Sequence, residues 1–305
     1  MLLQEIEGVL TERGFDYCEY SGCFDIAARK ERKTFAERPS GQRQPSMLLI
    51  KVLSNIDSFQ EEQARNLKIL SRELDARSLL VGLHTRREAL SDNIVYDRFD
   101  IPALNPRTLE SILNGLFPEI YRFRGGLFVE ISPETLRDAR QNAGLSQSEL
   151  ASRVGVTKKS IYEHESRKLK IMYKNALKIE RILKTKIITP LDISFSYETE
   201  AVPRSDFETK ISRNFRKIGF DTDFVYQSPF NMIAKEKKFM LLSDVEESKK
   251  QIQKNIPYIS GFSRLVGKSA VIITKEEFNF GIPTIREDEL ASMQQRDIKR
   301  LIKNW

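Results

Sequence analysis

Hydrophobic and polar positions follow a similar order in the two halves of the chain. In the first half, apolar runs at 47–50 and 78–82 are separated by the charged stretch 59–74, whose Ala and Leu residues recur at helical spacing. In the second half, the apolar runs 239–242 and 269–273 stand on either side of another charged stretch. Each half therefore predicts a helix, two or three strands, a helix, a strand and a helix.

Short motifs recur in the same order in both halves. A Gly-Phe-Asp motif occurs at 14–16 and 219–221, and an Ile-Pro pair follows later, at 101–102 and 282–283. The second copy is shorter, mainly because it lacks the polar loop 36–46. Shared order and spacing predict a duplicated α/β unit on either side of a central insert.

Length and composition are consistent with three domains. We place an α/β domain at 1–125, a helical domain at 126–192 and a second α/β domain at 193–305. No apolar run approaches the ~18 residues that cross a bilayer, and the start carries acids too early for a secretory signal. The cysteines, Cys18 and Cys23, lack metal-binding spacing, and so few fit a reducing interior. We expect a cytoplasmic protein without a membrane segment, metal or cofactor.

The central segment predicts short helices with defined ends. Ser132 and Pro133 suit the start of a first helix, and Gly144 suits a left-handed helix end. Ser146 and Glu149 then form a capping box, in which each side chain satisfies a backbone amide of the other residue. A second helix therefore follows the first after a very short connection.

The connection to a third helix carries the most specific pattern. Ala151 is small enough to let the next helix approach, Gly155 makes a tight turn and Val156 fills the space beneath it. Thr157 caps the third helix, residues 158–165. We expect Ile161 to face inward and three side chains to project outward, those of Lys158, Lys159 and Tyr162.

The net charge of +7 lies in this central segment. Residues 131–190 contain 13 Lys and Arg against 6 Asp and Glu, and the rest of the chain carries 37 of each sign. A solvated lysine-rich helical face would give the same count, so charge alone does not distinguish such a face from a surface that binds a polyanion. The coincidence of charge and motif favours binding to a polyanion.

The central segment resembles the Cro/repressor family of helix-turn-helix domains. The likeness rests on LSQSELA at 145–151 and VGVT at 154–157. It implies a compact all-α bundle of about five helices whose third helix enters the major groove of double-stranded DNA. Two positions depart from the family pattern: Ser166-Arg167 replaces the usual Asn-Gly, and His164 stands where an apolar or aromatic side chain is common.

This resemblance implies eight DNA-binding residues. Gln147 should contact a phosphate and support the recognition helix. The side chains expected to reach base edges are those of Lys158, Lys159, Ser160 and Tyr162. Those expected to hold the DNA backbone are Thr157, Arg167 and Lys168. Lysine suits the acceptor atoms of guanine in the major groove.

The flanking units resemble the restriction-endonuclease and Holliday-junction-resolvase fold, in which acids hold magnesium and a lysine helps to activate water. In the first copy, Glu5, Asp25 and Lys51 fall in suitable places, but Leu49 occupies the position of a further acidic ligand. In the second copy, Asn231 replaces the aspartate and no Glu-x-Lys follows. The resemblance implies endonuclease-like domains, and the degraded metal sites of both copies indicate that these domains are not catalytic and serve as scaffold, dimerisation or ligand-sensing units.

The whole chain resembles an archaeal family of HTH-type transcriptional regulators. That likeness implies a homodimer that places two recognition helices in successive major grooves, about 34 Å apart, on a pseudo-palindromic operator. Two alternatives stay open. One is a magnesium-dependent, structure-selective nuclease that uses the central module to bind DNA. The other is a protein-interaction adaptor whose helix-turn-helix no longer touches DNA.

Overall fold

The computed structural model describes residues 1–30, 46–193, 198–276, 278 and 281–303. From Met1 to Ile193 the elements are α1 (Leu2–Glu12), β1 (Asp16–Glu19), β2 (Ile26–Arg29), β3 (Met47–Asn55), α2 (Glu61–Leu74), β4 (Arg77–His84), β5 (Ile94–Arg98), β6 (Ile101–Leu104), α3 (Pro106–Leu113), β7 (Ile120–Phe123), β8 (Gly126–Ile131), α4 (Pro133–Asn142), α5 (Gln147–Val154), α6 (Lys158–Ser166), β9 (Lys170–Met172), α7 (Tyr173–Leu183) and β10 (Ile188–Thr189). From Glu198 to Lys303 they are α8 (Asp206–Lys217), β11 (Asp221–Phe224), β12 (Met232–Glu236), β13 (Phe239–Val245), α9 (Lys249–Val266), β14 (Ser269–Thr274), β15 (Thr284–Arg286), α10 (Glu287–Ser292) and α11 (Gln295–Lys303).

The chain folds into two units. The first comprises Met1–Leu53, Ser58–Leu80 and Phe195–Trp305, and the second comprises Ser54–Asp57 and Val81–Ser194. The three predicted domain boundaries stay a prediction. The polar loop predicted at 36–46 lies outside the described residues except for its last position. No helix in the described part of the chain is both long and apolar enough to cross a membrane.

Within the first unit, the two copies of the repeat share one topology. Strands β1, β2 and β3 form antiparallel pairs in chain order, as do β11, β12 and β13. Asp25 and Asn231 occupy equivalent positions just before the second strand of each copy. The Val52 amide donates to Asp25 Oδ2 at 2.7 Å, and the Val245 amide donates to Asn231 Oδ1 at 2.8 Å. This matched hydrogen bond supports the predicted duplication at atomic detail.

The two copies pack against each other through the loops that precede β2 and β12. The Cys23 amide donates to Gln227 O at 2.7 Å, and the Tyr20 hydroxyl donates to Ser228 O at 2.9 Å. Rings from both copies also pack against each other: Tyr20, Phe24, Phe230, Tyr258 and Phe262. Aromatic burial of this kind supplies much of the stabilisation of an interface.

Gly22→Ala should lower the stability of this first unit. A Cβ at Gly22 would lie 2.1 Å from the backbone oxygen of Gln227, which cannot rotate away as a side chain could. Overpacking of this kind costs about 1–3 kcal/mol, to be measured by urea unfolding. The control is Gly8→Ala on α1, where a Cβ meets nothing within 4 Å and alanine favours the helix. Equal losses in the two variants would contradict the close approach of the loops.

In the second unit, β5 pairs with β6 and with β7, and β8 pairs with β7, β9 and β10. One face of β8 carries Val129 and Ile131, which join a buried cluster with the apolar faces of α4 to α7. The helix-turn-helix region is therefore seated on a strand that is part of the same unit. This arrangement fixes the orientation of the helices through packing rather than through helix propensity alone.

The region 126–193 contains four helices and three strands, where the family resemblance implies about five helices. The segment after α7 forms β10 because Ile187, Ile188 and Thr189 are β-branched and Pro190 cannot continue a helix. Glu180 Oε1 accepts hydrogen bonds from the amides of Ile187 and Ile188, at 2.9 and 3.1 Å. A carboxylate from α7 thus satisfies the two amides at the start of this strand.

Candidate nucleic-acid interface

The helices of the central motif begin at the side-chain caps that the sequence predicts. Ser146 Oγ accepts from the Glu149 amide at 3.2 Å, and Glu149 Oε2 accepts from the Ser146 amide at 2.7 Å. Thr157 Oγ1 accepts from the Ser160 amide at 3.1 Å, and Ser132 caps α4 in the same way. The capping predictions are confirmed. They satisfy amides that have no partner in the first turn of a helix.

Gly155 makes the turn between α5 and α6. Its φ of 85° and ψ of 39° lie in the left-handed region, and its amide donates to Ala151 O at 2.9 Å. Ala151 is buried, and Val156 is half-buried against the same core cluster. Because only glycine adopts this conformation without strain, the turn fixes where α6 begins.

Helix α6 presents one buried and one exposed face. Ile161 is fully buried, whereas Tyr162 is 58% exposed. Lys158 and Lys159 are exposed, and neither forms a side-chain hydrogen bond or ion pair with another described residue. Ser160 is half-buried at the edge of the same face. Two unneutralised ammonium groups and a phenol therefore project from one short helix.

Glu165 lies on the buried side of α6 and joins this helix to α4 and α5. Arg140 Nε donates to Glu165 Oε1 at 2.6 Å, and Arg140 Nη2 donates to Oε2 at 3.1 Å. Gln147 Nε2 donates to Oε2 at 2.8 Å. Burial alone would raise the pKa of Glu165, but the hydrogen bonds from Arg140 and Gln147 and the charges of Arg140 and Arg137 outweigh it and lower the pKa. The carboxylate is therefore held in its charged form.

The remaining predicted site residues lie around α6. Gln147 contacts α6 through Glu165, and its contact with a phosphate stays a prediction. Just after the end of α6, Arg167 Nη2 lies 3.6 Å from Glu163 Oε1. Lys168 Nζ lies 2.7 Å from Glu130 Oε2 on β8. The side chains of both cations stay more than half exposed, so each could exchange its acid for a phosphate.

The Arg140–Glu165 pair carries a structural role that the sequence analysis missed, whereas His164 is packed, as its position on the helix had led us to expect. His164 is buried, and its Nδ1 has no hydrogen-bond partner among the described residues. Burial lowers the pKa of His164, against the opposing charge of Glu163. One signal for Glu165 was available, because it follows the inward-facing Ile161 by four positions and so shares its side of the helix.

The first repeat uses its nuclease-like residues for internal contacts. Lys51 Nζ lies 2.8 Å from Asp25 Oδ1 and donates to Gly22 O at 2.8 Å. Asp25 Oδ2 accepts from the Val52 amide, and Glu5 is exposed on α1. No group of three or more His, Cys, Asp or Glu is placed to hold a metal ion in the part of the chain that the structure describes. The residues present do not fit a magnesium ion, because Leu49 provides no carboxylate and Asp25 is left without a second acidic ligand among the described residues.

The second repeat buries polar residues at the same place. Asn231 Nδ2 donates to Glu208 Oε1 at 3.0 Å and to Val245 O at 2.8 Å. Asp244 stands at the position equivalent to Lys51 and accepts from Asn255 Nδ2 at 3.1 Å. Burial raises the pKa of Asp244 to about 7. Asn231 thus donates a hydrogen bond to Glu208. An aspartate at this position would instead repel the carboxylate of Glu208.

Asp244→Asn should stabilise the first unit at pH 8 and change little at pH 4. The pKa of Asp244 is raised in the folded state, so the folded protein holds a proton that the unfolded chain releases. Its contribution to stability is full below about pH 4 and is lost as the pH rises to about 7. We expect a gain of about 1–3 kcal/mol at pH 8 by urea unfolding. A gain of the same size at both pH values, or in the exposed control Asp221→Asn, would contradict this assignment.

Comparison with known proteins places this architecture in a family. Residues 1–118 match the family model for the PD-(D/E)XK superfamily domain, and residues 136–188 match a helix-turn-helix model. A protein of Pyrococcus furiosus described as "Putative HTH-type transcriptional regulatory protein" is 33% identical over 98% of this chain and 94% of its own length. Similarly described proteins of Pyrococcus horikoshii and Methanothermobacter thermautotrophicus are both 32% identical, over 97% and 96% of this chain and 94% and 92% of their own lengths.

The chain belongs to this family of HTH-type regulatory proteins. The resemblances to the archaeal family, to an endonuclease-like fold and to a helix-turn-helix domain are confirmed. The second repeat of this HTH-type regulator lies outside both matched ranges, and its likeness to the first rests on topology and on the matched hydrogen bonds. No solved structure matches this chain.

Proposed function

We propose that this HTH-type regulator binds double-stranded DNA through the exposed face of α6 and thereby regulates transcription in the cytoplasm. The observation that carries the proposal is the pair Lys158 and Lys159, exposed and without a neutralising partner among the described residues. They lie beside Tyr162 on a helix that begins immediately after the Gly155 turn. In helix-turn-helix proteins, side chains at the start of this helix reach base edges in the major groove.

The contacts divide into two groups. We assign base contacts to Lys158, Lys159, Ser160 and Tyr162. We assign contacts with the DNA backbone to Gln147, Thr157, Arg167 and Lys168. Gln147 uses one amide hydrogen on Glu165 and keeps the second for a phosphate. Phosphate contacts fix the register of the helix, and base contacts carry the sequence information.

We further propose a homodimer on a pseudo-palindromic operator. One recognition helix contacts only a few base pairs, and so short a sequence recurs too often in a genome to mark one promoter. Two copies related by a two-fold axis double the length of the site, with half-sites about 34 Å apart. Binding should weaken steeply with salt, because lysine–phosphate contacts release counterions.

Selection of bound fragments from a pool of random duplexes tests this function. We expect enrichment of two inverted half-sites whose centres are about 10 base pairs, or a multiple of that spacing, apart. Enrichment of a single half-site would overturn the dimer while keeping DNA recognition. Absent or salt-insensitive binding would overturn the proposal and favour a protein-interaction adaptor.

The endonuclease-like repeats act, in this proposal, as a folded scaffold without catalysis. The match of residues 1–118 to the PD-(D/E)XK superfamily favours the alternative of a nuclease, whereas Leu49 at the position of an acidic ligand argues against it. Incubation of the protein with duplex and four-way-junction DNA in magnesium decides between them. Cleavage that is lost in Asp25→Ala would establish the nuclease, and intact substrates would support the scaffold.

A further inference from the structure

The two repeats meet at a junction in the first unit that is neutralised by ion pairs. Lys235 Nζ, at β12, lies 2.8 Å from Glu73 Oε2 on α2 and 2.8 Å from Asp223 Oδ2 on β11. Arg72 Nε lies 2.8 Å from Glu73 Oε1, and Arg72 Nη2 lies 3.3 Å from Asp223 Oδ1. Two cations and two carboxylates therefore balance each other. We call these four residues the closed junction.

The repeat provides a counterpart for each of these residues on the opposite side. In the pairing of β11 with β12, Asp223 lies opposite Ile233, two positions before Lys235. In the pairing of β1 with β2, Cys18 lies opposite Ala27, two positions before Arg29. Helices α2 and α9 both end at a left-handed residue, which aligns their last turns. The counterparts of Lys235, Asp223, Glu73 and Arg72 are Arg29, Cys18, Leu265 and Arg264. We call this second set the open junction.

The open junction keeps both cations and has lost both acids. Arg29 Nη1 donates to the backbone oxygen of Leu265 at 2.9 Å, which is the one hydrogen bond of this guanidinium with a described residue. Arg29 and Arg264 are exposed, and neither forms an ion pair with a described residue. The carbonyl end of α9 accounts for one bond of Arg29 but provides no full negative charge.

Two clefts adjoin the open junction and share Arg29. The larger cleft has a volume of about 520 Å³, and its lining also includes the cations Lys30 and Lys268 and the carboxylate of Asp75. The smaller cleft has a volume of about 450 Å³, and its lining also includes Cys18, Leu265 and Arg264 and the carboxylate of Asp16. Among the described residues that line the two clefts, four cations thus face two acids. A Cβ at Gly267 would lie 3.1 Å from Arg29 Nη1, so glycine leaves the guanidinium its room.

We infer that the open junction binds a small phosphorylated metabolite, whose phosphate takes the place of the two missing carboxylates. A guanidinium offers a planar fork of donors that matches two phosphate oxygens, and the described lining residues include two arginines, Arg29 and Arg264. The excess of two cations matches a dianion. Each cleft has the volume of an ordinary small-molecule site and accommodates a ligand of mononucleotide size.

The test is isothermal titration calorimetry of the full chain, without DNA, with pyrophosphate and with ADP as probes. Leu265→Glu installs the carboxylate of the closed junction, so we expect it to weaken binding at least 10-fold. Gln253→Glu makes the same change of charge at an exposed position of the same helix, and should leave binding unchanged. Arg29→Gln removes a cation instead of adding an acid, and should weaken binding to a similar degree. Melting temperatures establish that each variant is folded.

Three outcomes would overturn the inference. The first is no binding of either probe by the unmodified protein. The second is equal weakening by Leu265→Glu and Gln253→Glu, which would show a general effect of charge. The third is binding that neither Leu265→Glu nor Arg29→Gln alters. Because DNA is absent from the titration, and DNA selection is measured separately on the same proteins, failure here is distinguishable from failure of the proposed DNA recognition.

Discussion

Replacing both Lys158 and Lys159 by alanine abolishes the sequence preference of DNA binding if α6 reads bases as proposed. Each base contact contributes about 1–3 kcal/mol, so the double variant should bind a selected site roughly 30-fold more weakly or worse. Its affinity should also depend less on salt, because two cations no longer release counterions. Both lysines are exposed and bond to no described residue, so the substitutions should leave the fold intact. Gel-shift titration and footprinting measure the loss.

The matched control is the double variant Lys184→Ala/Lys186→Ala. These lysines are also exposed, lie in the same unit and remove the same charge, but they follow α7 instead of beginning α6. We expect a similar change in unspecific affinity and no change in the preferred sequence. An unchanged footprint in Lys158→Ala/Lys159→Ala would show that the recognition face is wrongly assigned.

Arg140→Ala should strongly destabilise the helix-turn-helix region. It removes the bidentate partner of Glu165 and leaves a buried carboxylate with Gln147 as its remaining side-chain donor. Breaking a buried pair in this way costs about 3–5 kcal/mol. Urea unfolding measures the loss. DNA affinity should fall as well, since α6 loses its ion pair with Arg140 on α4 and, among the described residues, keeps only the bond from Arg137 to the backbone oxygen of Glu165.

A double variant distinguishes the cost of leaving the Glu165 carboxylate unpaired from the cost of losing its contact with Arg140. In Arg140→Met/Glu165→Met both charges are absent, so we expect much of the stability to return. The exposed Arg153 on α5 provides a control, and its replacement by alanine should change stability by less than about 0.5 kcal/mol. A loss in Arg140→Ala no larger than in Arg153→Ala would contradict the role of the buried pair.

Local features of the fold were predictable because they depend on neighbouring residues. The cap at Thr157, the capping box of Ser146 and Glu149, and the glycine turn each require only side chains within four positions of each other. The buried side of α6 followed from the position of Ile161. The repeat could also be recognised, because motifs at equal spacing report duplication even without knowledge of the fold.

Features that join distant residues could not be read from the chain. Glu165 is one of several acids in a basic segment, and its tie to Arg140 depends on how α4 and α6 cross. The contact of Gly22 with Gln227 spans more than two hundred positions. The open junction emerges only when the two repeats are compared residue by residue in three dimensions. Such contacts depend on packing, for which single-sequence patterns carry no direct signal.

Cross-linking from position 162 tests the central claim most directly. Tyr162 is replaced by a photoreactive benzoyl-phenylalanine, which keeps an aromatic side chain at an exposed position of α6. We expect irradiation to join this residue to a base inside the selected half-site, and an excess of the unlabelled site, but not of a scrambled duplex, to prevent the cross-link. A stable protein–DNA complex that gives no cross-link from this position, or an equal yield with scrambled DNA, would contradict recognition by α6.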